Sequence, residues 1–157
     1  MQYIDSVSST VAKWMKDVPH LPKGLTKWLA ENSWWLTIIG VVLSVFAVFS
    51  LLVAMTAGSA VLVAVGAPAI GGMFFVSSLV ALVGTGISVV AEAMAIAPLK
   101  AMKKRGWDLM FFVLLVSVAM GIVGSLLTAN VGGILFGLIG AAIGAYVMLE
   151  FKQYFVK

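Results

Sequence analysis

Four stretches of this chain, Trp34–Met55, Met73–Ala97, Asp108–Thr128 and Gly133–Leu149, consist almost wholly of apolar and small residues. About 20 such residues in helical form cross the hydrocarbon core of a bilayer. In lipid the backbone must satisfy its own hydrogen bonds, and for runs of this length the helix does so. The runs therefore predict an all-α integral membrane four-helix bundle with spans at about 34–55, 73–97, 108–128 and 133–149.

Composition supports this. The chain has 157 residues, 62% hydrophobic and 10% charged. A soluble domain of this size is nearer half apolar and a quarter charged, and still exposes roughly a third of its unfolded-chain surface. That much Val, Leu, Ile and Phe on a water-facing surface would aggregate. There are no cysteines, which excludes disulfides and thiolate metal sites. The first run begins too late and is too long for a cleavable signal peptide, so it is expected to stay in the protein.

Charge chooses the number of spans and their orientation. With four spans, both termini and the 98–107 loop share one side. All 10 basic residues then fall there: Lys13, Lys16, Lys23, Lys27, Lys100, Lys103, Lys104, Arg105, Lys152 and Lys157. The opposite connections, 56–72 and 129–132, carry no charge. Lys and Arg in short loops mark the cytoplasmic side, so both termini are expected there. A further span within 56–72 would separate the N-terminal lysines from the central cluster. That Gly-, Ala- and Ser-rich segment, with Pro68, is instead expected to connect spans at or just inside the membrane surface, as a re-entrant or surface segment with one short helix near 59–65.

Residues 1–32 are expected to form an amphipathic segment, separate from the bundle over 33–157. Ile4, Val7, Val11, Trp14 and Val18 recur at helical spacing through residues 2–18. Pro19 and Pro22 should end that helix. A second short piece follows over 23–32, with Leu25, Trp28 and Leu29 on one side. Both pieces suit a membrane interface or the protein's own cytoplasmic face. The two hairpins also share a faint repeat, with Trp34, Leu36 and Ser44 matching Trp107, Leu109 and Ser117 at one offset.

The loop Pro98–Leu99–Lys100–Ala101–Met102–Lys103–Lys104–Arg105–Gly106–Trp107–Asp108–Leu109 and the closing Ala145–Tyr146–Val147–Met148–Leu149–Glu150–Phe151–Lys152–Gln153–Tyr154 carry a resemblance. Over residues 34–157 the chain resembles uncharacterised small four-span inner-membrane proteins of reduced-genome candidate-phylum bacteria. The resemblance implies a bacterial inner membrane. It brings no functional residues with it, since the group has no assigned biochemistry.

Glu92 is the one carboxylate placed within a span, about 9 Å of helix from its end. An ionisable group in hydrocarbon is costly and points to function. The bland alternative is pairing with Lys100, Lys103 or another lysine near the cytoplasmic interface. The second feature is a small-residue face on the last span: Gly133, Gly137, Ala141 and Ala145 in one row, Gly140 and Gly144 in another. Such faces let membrane helices approach closely, so this helix is expected to be the packing centre of the bundle or of a homo-oligomer. Lys100, Lys103, Lys104 and Arg105 suit anionic headgroups, or serve topology alone. Nucleic acid is a poor partner, because the basic residues flank apolar spans.

His20 stands alone between prolines, so no metal is expected, and Asn130 is expected to serve its turn through its backbone conformation. Asp5, Asp17, Glu31, Asp108 and Glu150 look peripheral. Without a nucleophile–base pair or a cofactor motif, no cofactor is expected and the chain is not expected to be an enzyme. Two functions remain: a structural or interaction bundle that assembles with itself or a partner, favoured here, and a small channel or transporter for an ion or small solute.

Overall fold

The computed structural model describes residues 2–155; Lys157 lies outside them. Helix α1 (Gln2–Trp14) leads into a turn. Helix α2 (Lys23–Val53) continues through a π-helical segment (Ala54–Gly58) into α3 (Ser59–Ala64). Helix α4 (Pro68–Lys100), α5 (Lys104–Leu127) and α6 (Val131–Phe151) follow, and a 3-10 turn (Lys152–Tyr154) closes the chain. Four helical stretches are long and apolar enough to cross a membrane: Lys23–Ala64, Pro68–Lys100, Lys104–Leu127 and Val131–Tyr154. The chain is an all-α, multi-pass membrane protein.

Three expected boundaries are corrected. Residues 23–32 do not form a separate piece, because they are the start of α2. The 56–72 connection is almost entirely helical: the first span runs on to Ala64 and the next begins at Pro68. Pro68 starts a helix and does not interrupt one, since at the first helical position its missing N–H has no partner to lose. At the other end Pro98 does not stop α4, which ends at Lys100.

The π segment accounts for the smooth passage into α3. A π turn misaligns carbonyls from the regular ladder. The Thr56 hydroxyl donates to the Leu52 carbonyl at 2.9 Å, and the Ser59 hydroxyl donates to that of Met55.

All three connections between spans use the same helix ending. The N–H of Ala67, Lys103 and Asn130 donates to the carbonyl of Leu62, Pro98 and Ser125, at 2.9, 2.8 and 2.8 Å. The residue before each donor, Gly66, Met102 or Ala129, is left-handed, with φ of 83°, 51° and 50°. This is the 6→1 bond of a Schellman ending, usually built on glycine. Asn130, expected to supply the special backbone, has φ −90° and instead caps α6. Its side-chain oxygen accepts from the Gly133 N–H at 2.9 Å.

The two hairpins differ in length. The stretch Lys23–Ala64 has 42 residues, about 63 Å of helix, whereas α5 has 24, about 36 Å. Thr128, just past α5, shares a cavity wall with Ala81. The part of α4 from Pro68 to Ala81 therefore overhangs the α5–α6 turn by about 20 Å. The overhang carries no charge, and Ile70 and Met73 on it are exposed, as are Val61 and Val65 in and just after the neighbouring α3.

The tight core sits at the basic end of the bundle. It gathers Ile4, Ala30, Ala95, Leu99, Trp107, Phe111 and Phe155. Trp107 is fully buried, stacks on Phe111 at 5.0 Å between ring centroids, and donates from Nε1 to the Met148 carbonyl at 2.8 Å. At Gly106 a Cβ would stand 2.6 Å from the Leu99 amide nitrogen. Helices α4 and α5 meet there at a distance only glycine permits. A core of large apolar residues belongs where water drives burial, while within lipid close packing depends on small residues.

Candidate functional site

The candidate site begins beside this core, about 10 Å along α4 from Leu99, and runs on into the looser half of the bundle. Glu92 projects from α4 toward α2, where Gly40 and Ser44 leave room for it. A Cβ on Gly40 would lie 4.0 Å from Glu92 Oε2. The Ser44 hydroxyl donates to the same oxygen at 3.4 Å, a long bond. Among the described residues, no lysine, arginine or histidine forms an ion pair with Glu92. The expected pairing with Lys100 or Lys103 is therefore corrected. Lys100 points away, its Nζ 5.1 Å from the centre of the Trp34 ring.

Two cavities meet at Glu92. The first, of 430 Å³, lies between α4 and α5 and reaches Thr128. Its polar wall comes from Ser44, Thr85, Ser88, Ser117, Ser125 and Thr128. On α4 the spacing of Thr85, Ser88 and Glu92 puts all three on one face. On α5, Ser117, Gly121, Gly124 and Ser125 turn toward it, as does Thr128 just past its end, with the glycines holding the wall back. The second cavity, of 250 Å³, lies between α2 and α6 on the way to the basic end. It is mostly apolar, with Leu29, Leu36, Met110, Met148 and Phe151 in its wall. Among the described residues, Glu92 is the only titratable one in either lining.

The small-residue face of α6 is not the packing centre that its pattern suggests. Gly133 lies against Asn130 and Ser125, and Gly144 against Leu114. A Cβ at Gly137 or Gly140 would meet nothing within 4 Å. With Ala141 they border a separate 300 Å³ gap between α5 and α6. The expected role at the centre of the bundle is corrected: α6 packs firmly only toward the basic end, where Ala145 is buried.

The basic loop is divided. Lys103 and Arg105 are exposed and make no ion pair among the described residues. Lys104 is engaged, with its Nζ 2.8 Å from Asp5 Oδ1 and 3.1 Å from Asp108 Oδ2. The Lys104 ammonium, hydrogen-bonded to Asp5, holds that carboxyl below its ordinary range. Asp108, expected at the periphery, is buried beneath this lysine. Its place four residues after Lys104 was the available signal. Nothing near Asp5 in the sequence announces its share.

Helix α1 packs on the basic end, with Ile4 and Ser8 buried. The Ser8 hydroxyl accepts from Lys152 Nζ at 2.8 Å, and the same ammonium lies 4.4 Å from the centre of the Trp107 ring. His20 also has a partner: its Nδ1 stands 2.7 Å from Glu150 Oε1, and the Leu21 N–H donates to the other carboxylate oxygen at 3.2 Å.

Comparison with known proteins finds no family model, no curated protein and no solved structure that matches the chain.

Proposed function

We propose that the protein is a small transporter of a bacterial inner membrane, and that Glu92 is the group on which a proton or cation exchanges between its two sides. The observation that carries this is the position of Glu92 in the wall of both cavities. A carboxylate placed for stability would have a cationic partner, because an unpaired charge in hydrocarbon is costly. Glu92 has one long hydroxyl contact instead. The hydroxyls from Ser88 to Thr128 provide a chain of groups that can carry water to it. Both termini are assigned to the cytoplasm because the basic residues gather at that end. The exposed Lys103 and Arg105 then face anionic headgroups, at about 1 kcal/mol each.

The test is proton uptake into proteoliposomes under an imposed potential, followed with a trapped pH dye. The native chain should acidify the lumen, Glu92→Gln should stop it, and Ser44→Ala should slow it. Native proteoliposomes no faster than empty ones overturn the proposal.

One observation favours a second reading, a self-assembling bundle: Gly137 and Gly140 are open. Two copies meeting there would give these glycines the close approach that such faces serve. Assembly size in mild detergent tests this. A single monomeric species rejects it.

A further inference from the structure

We infer that the cleft between α2 and α6 binds an amphipathic organic cation, a quaternary ammonium or amine on an apolar or aromatic body, with Glu92 as its counter-ion. The inference rests on reading Glu92 as an accessible, exchangeable carboxylate, and it names the class of solute that such a site takes.

The chemistry of the walls makes the choice. The cleft presents Leu29, Leu36, Met110, Met148 and Phe151. Its two hydroxyls are turned back onto their own helix: Ser33 donates to the Ala30 carbonyl at 2.8 Å, and Thr37 to that of Ser33 at 2.8 Å. A small inorganic cation needs several oxygen ligands to replace its water. This cleft gives it one carboxylate and a wall of carbon and sulfur. An organic cation needs no such shell. Its body gains by leaving water, and methionine sulfur and aromatic carbon are suited to an irregular apolar guest. Its charge then meets the Glu92 carboxylate, which has no ion pair among the described residues. Binding sites of this kind are mostly apolar, with a few placed polar groups that fix orientation.

Access and size agree. Leu36 at the margin of the cleft is 39% exposed on the outer surface of the bundle, so the opening faces the hydrocarbon, where amphipathic cations concentrate. A volume of 250 Å³ admits a body of one aromatic ring and a branched head. Neither α2, α5 nor α6 contributes a charged or titratable side chain to the lining, so ionisation of Glu92 alone should govern the pH dependence. A proton and an organic cation then compete for one carboxylate, and the hydroxyl-lined cavity supplies the proton from the other side.

The test is calorimetric binding of benzyltrimethylammonium to the purified full chain, at pH 5 and at pH 8, in two buffers of different ionisation enthalpy. Tighter binding at pH 8 is expected, with more proton released on binding at pH 5, where the cation displaces the proton from Glu92, than at pH 8. Neopentylbenzene, the neutral isostere, should release no proton. Glu92→Gln should weaken binding by about tenfold or more, the usual effect of losing a charged partner. Leu36→Trp, which narrows the margin without touching Glu92, should weaken it as well, and it keeps the test valid if Glu92→Gln fails to fold. Absence of binding by the native chain, or binding equal at both pH values, overturns the inference. Proton uptake that depends on Glu92, without benzyltrimethylammonium binding, would sink this inference and leave the transport proposal standing. Binding without any proton movement across liposomes would do the reverse.

Discussion

Asp5 and Lys104 meet across most of the chain, with 2.8 Å between Oδ1 and Nζ. This contact fastens α1 to the start of α5. Because Lys104 lowers the Asp5 pKa, the contribution to docking is complete above the unfolded carboxyl value, about 4, and is lost as pH falls through the lower folded value. Hydrogen exchange in residues 2–14 should therefore accelerate below about pH 4 while exchange in α5 stays slow. Asp5→Asn should bring the fast exchange up to neutral pH. Equal protection of α1 at pH 3 and pH 7 would refute this role.

At Gly106 the start of α5 lies directly against the α4 backbone, where a Cβ would stand 2.6 Å from the Leu99 nitrogen. Gly106→Ala forces a Cβ against backbone, which cannot swing aside as a side chain can. It should destabilise the bundle by about 1–3 kcal/mol, the usual range for overpacking. Thermal unfolding in detergent measures it. A melting temperature equal to the native one would mean that the helix ends slide apart freely.

Gly137 should behave in the opposite way. With open space at its Cβ, Gly137→Leu should leave the melting temperature of a monomeric preparation unchanged. If copies associate through α6, the same change should lower assembly size alone. A fall in monomer stability would place a neighbour at Gly137 that the bundle lacks.

Ala129 adopts a left-handed backbone at φ 50°. Left-handed backbone costs a non-glycine residue about 1–2 kcal/mol. Ala129→Gly should therefore raise stability by about 1 kcal/mol, less the greater chain entropy of glycine when unfolded. Chemical denaturation should show a higher midpoint with the slope unchanged, and a lower midpoint would contradict the prediction.

The number of spans was legible because charge and hydropathy act over whole helices. Their ends were not. Gly, Ala, Ser and Pro68 in 56–72 read as breakers by the rules of chains in water, where backbone freed from a helix can bond to solvent. Lipid offers no such partner, so the helix carries on until Gly66 turns it. The site was half legible. Glu92 stood out as the one acid within a span, but its surroundings come from α2, α4 and α5, and no local spacing joins Ser44 to Ser117. The α6 face misled for a related reason: a row of glycines permits close approach but does not say which helix approaches. Asp108 was readable from its distance to Lys104, and Asp5 was not, because that contact exists only in the fold.

The overhang of α4 past the α5–α6 turn gives the molecule two hydrophobic lengths. No bilayer matches both, and mismatch is relieved by tilt or by local change in lipid thickness. In a thick bilayer the overhang is immersed and acyl chains cover the rim of the hydroxyl-lined cavity beside Thr128. In a thin one that rim rises into the wet headgroup layer. Membrane thickness would thus regulate the hydration of Glu92 from a distance, with no ligand and no change in the residue itself.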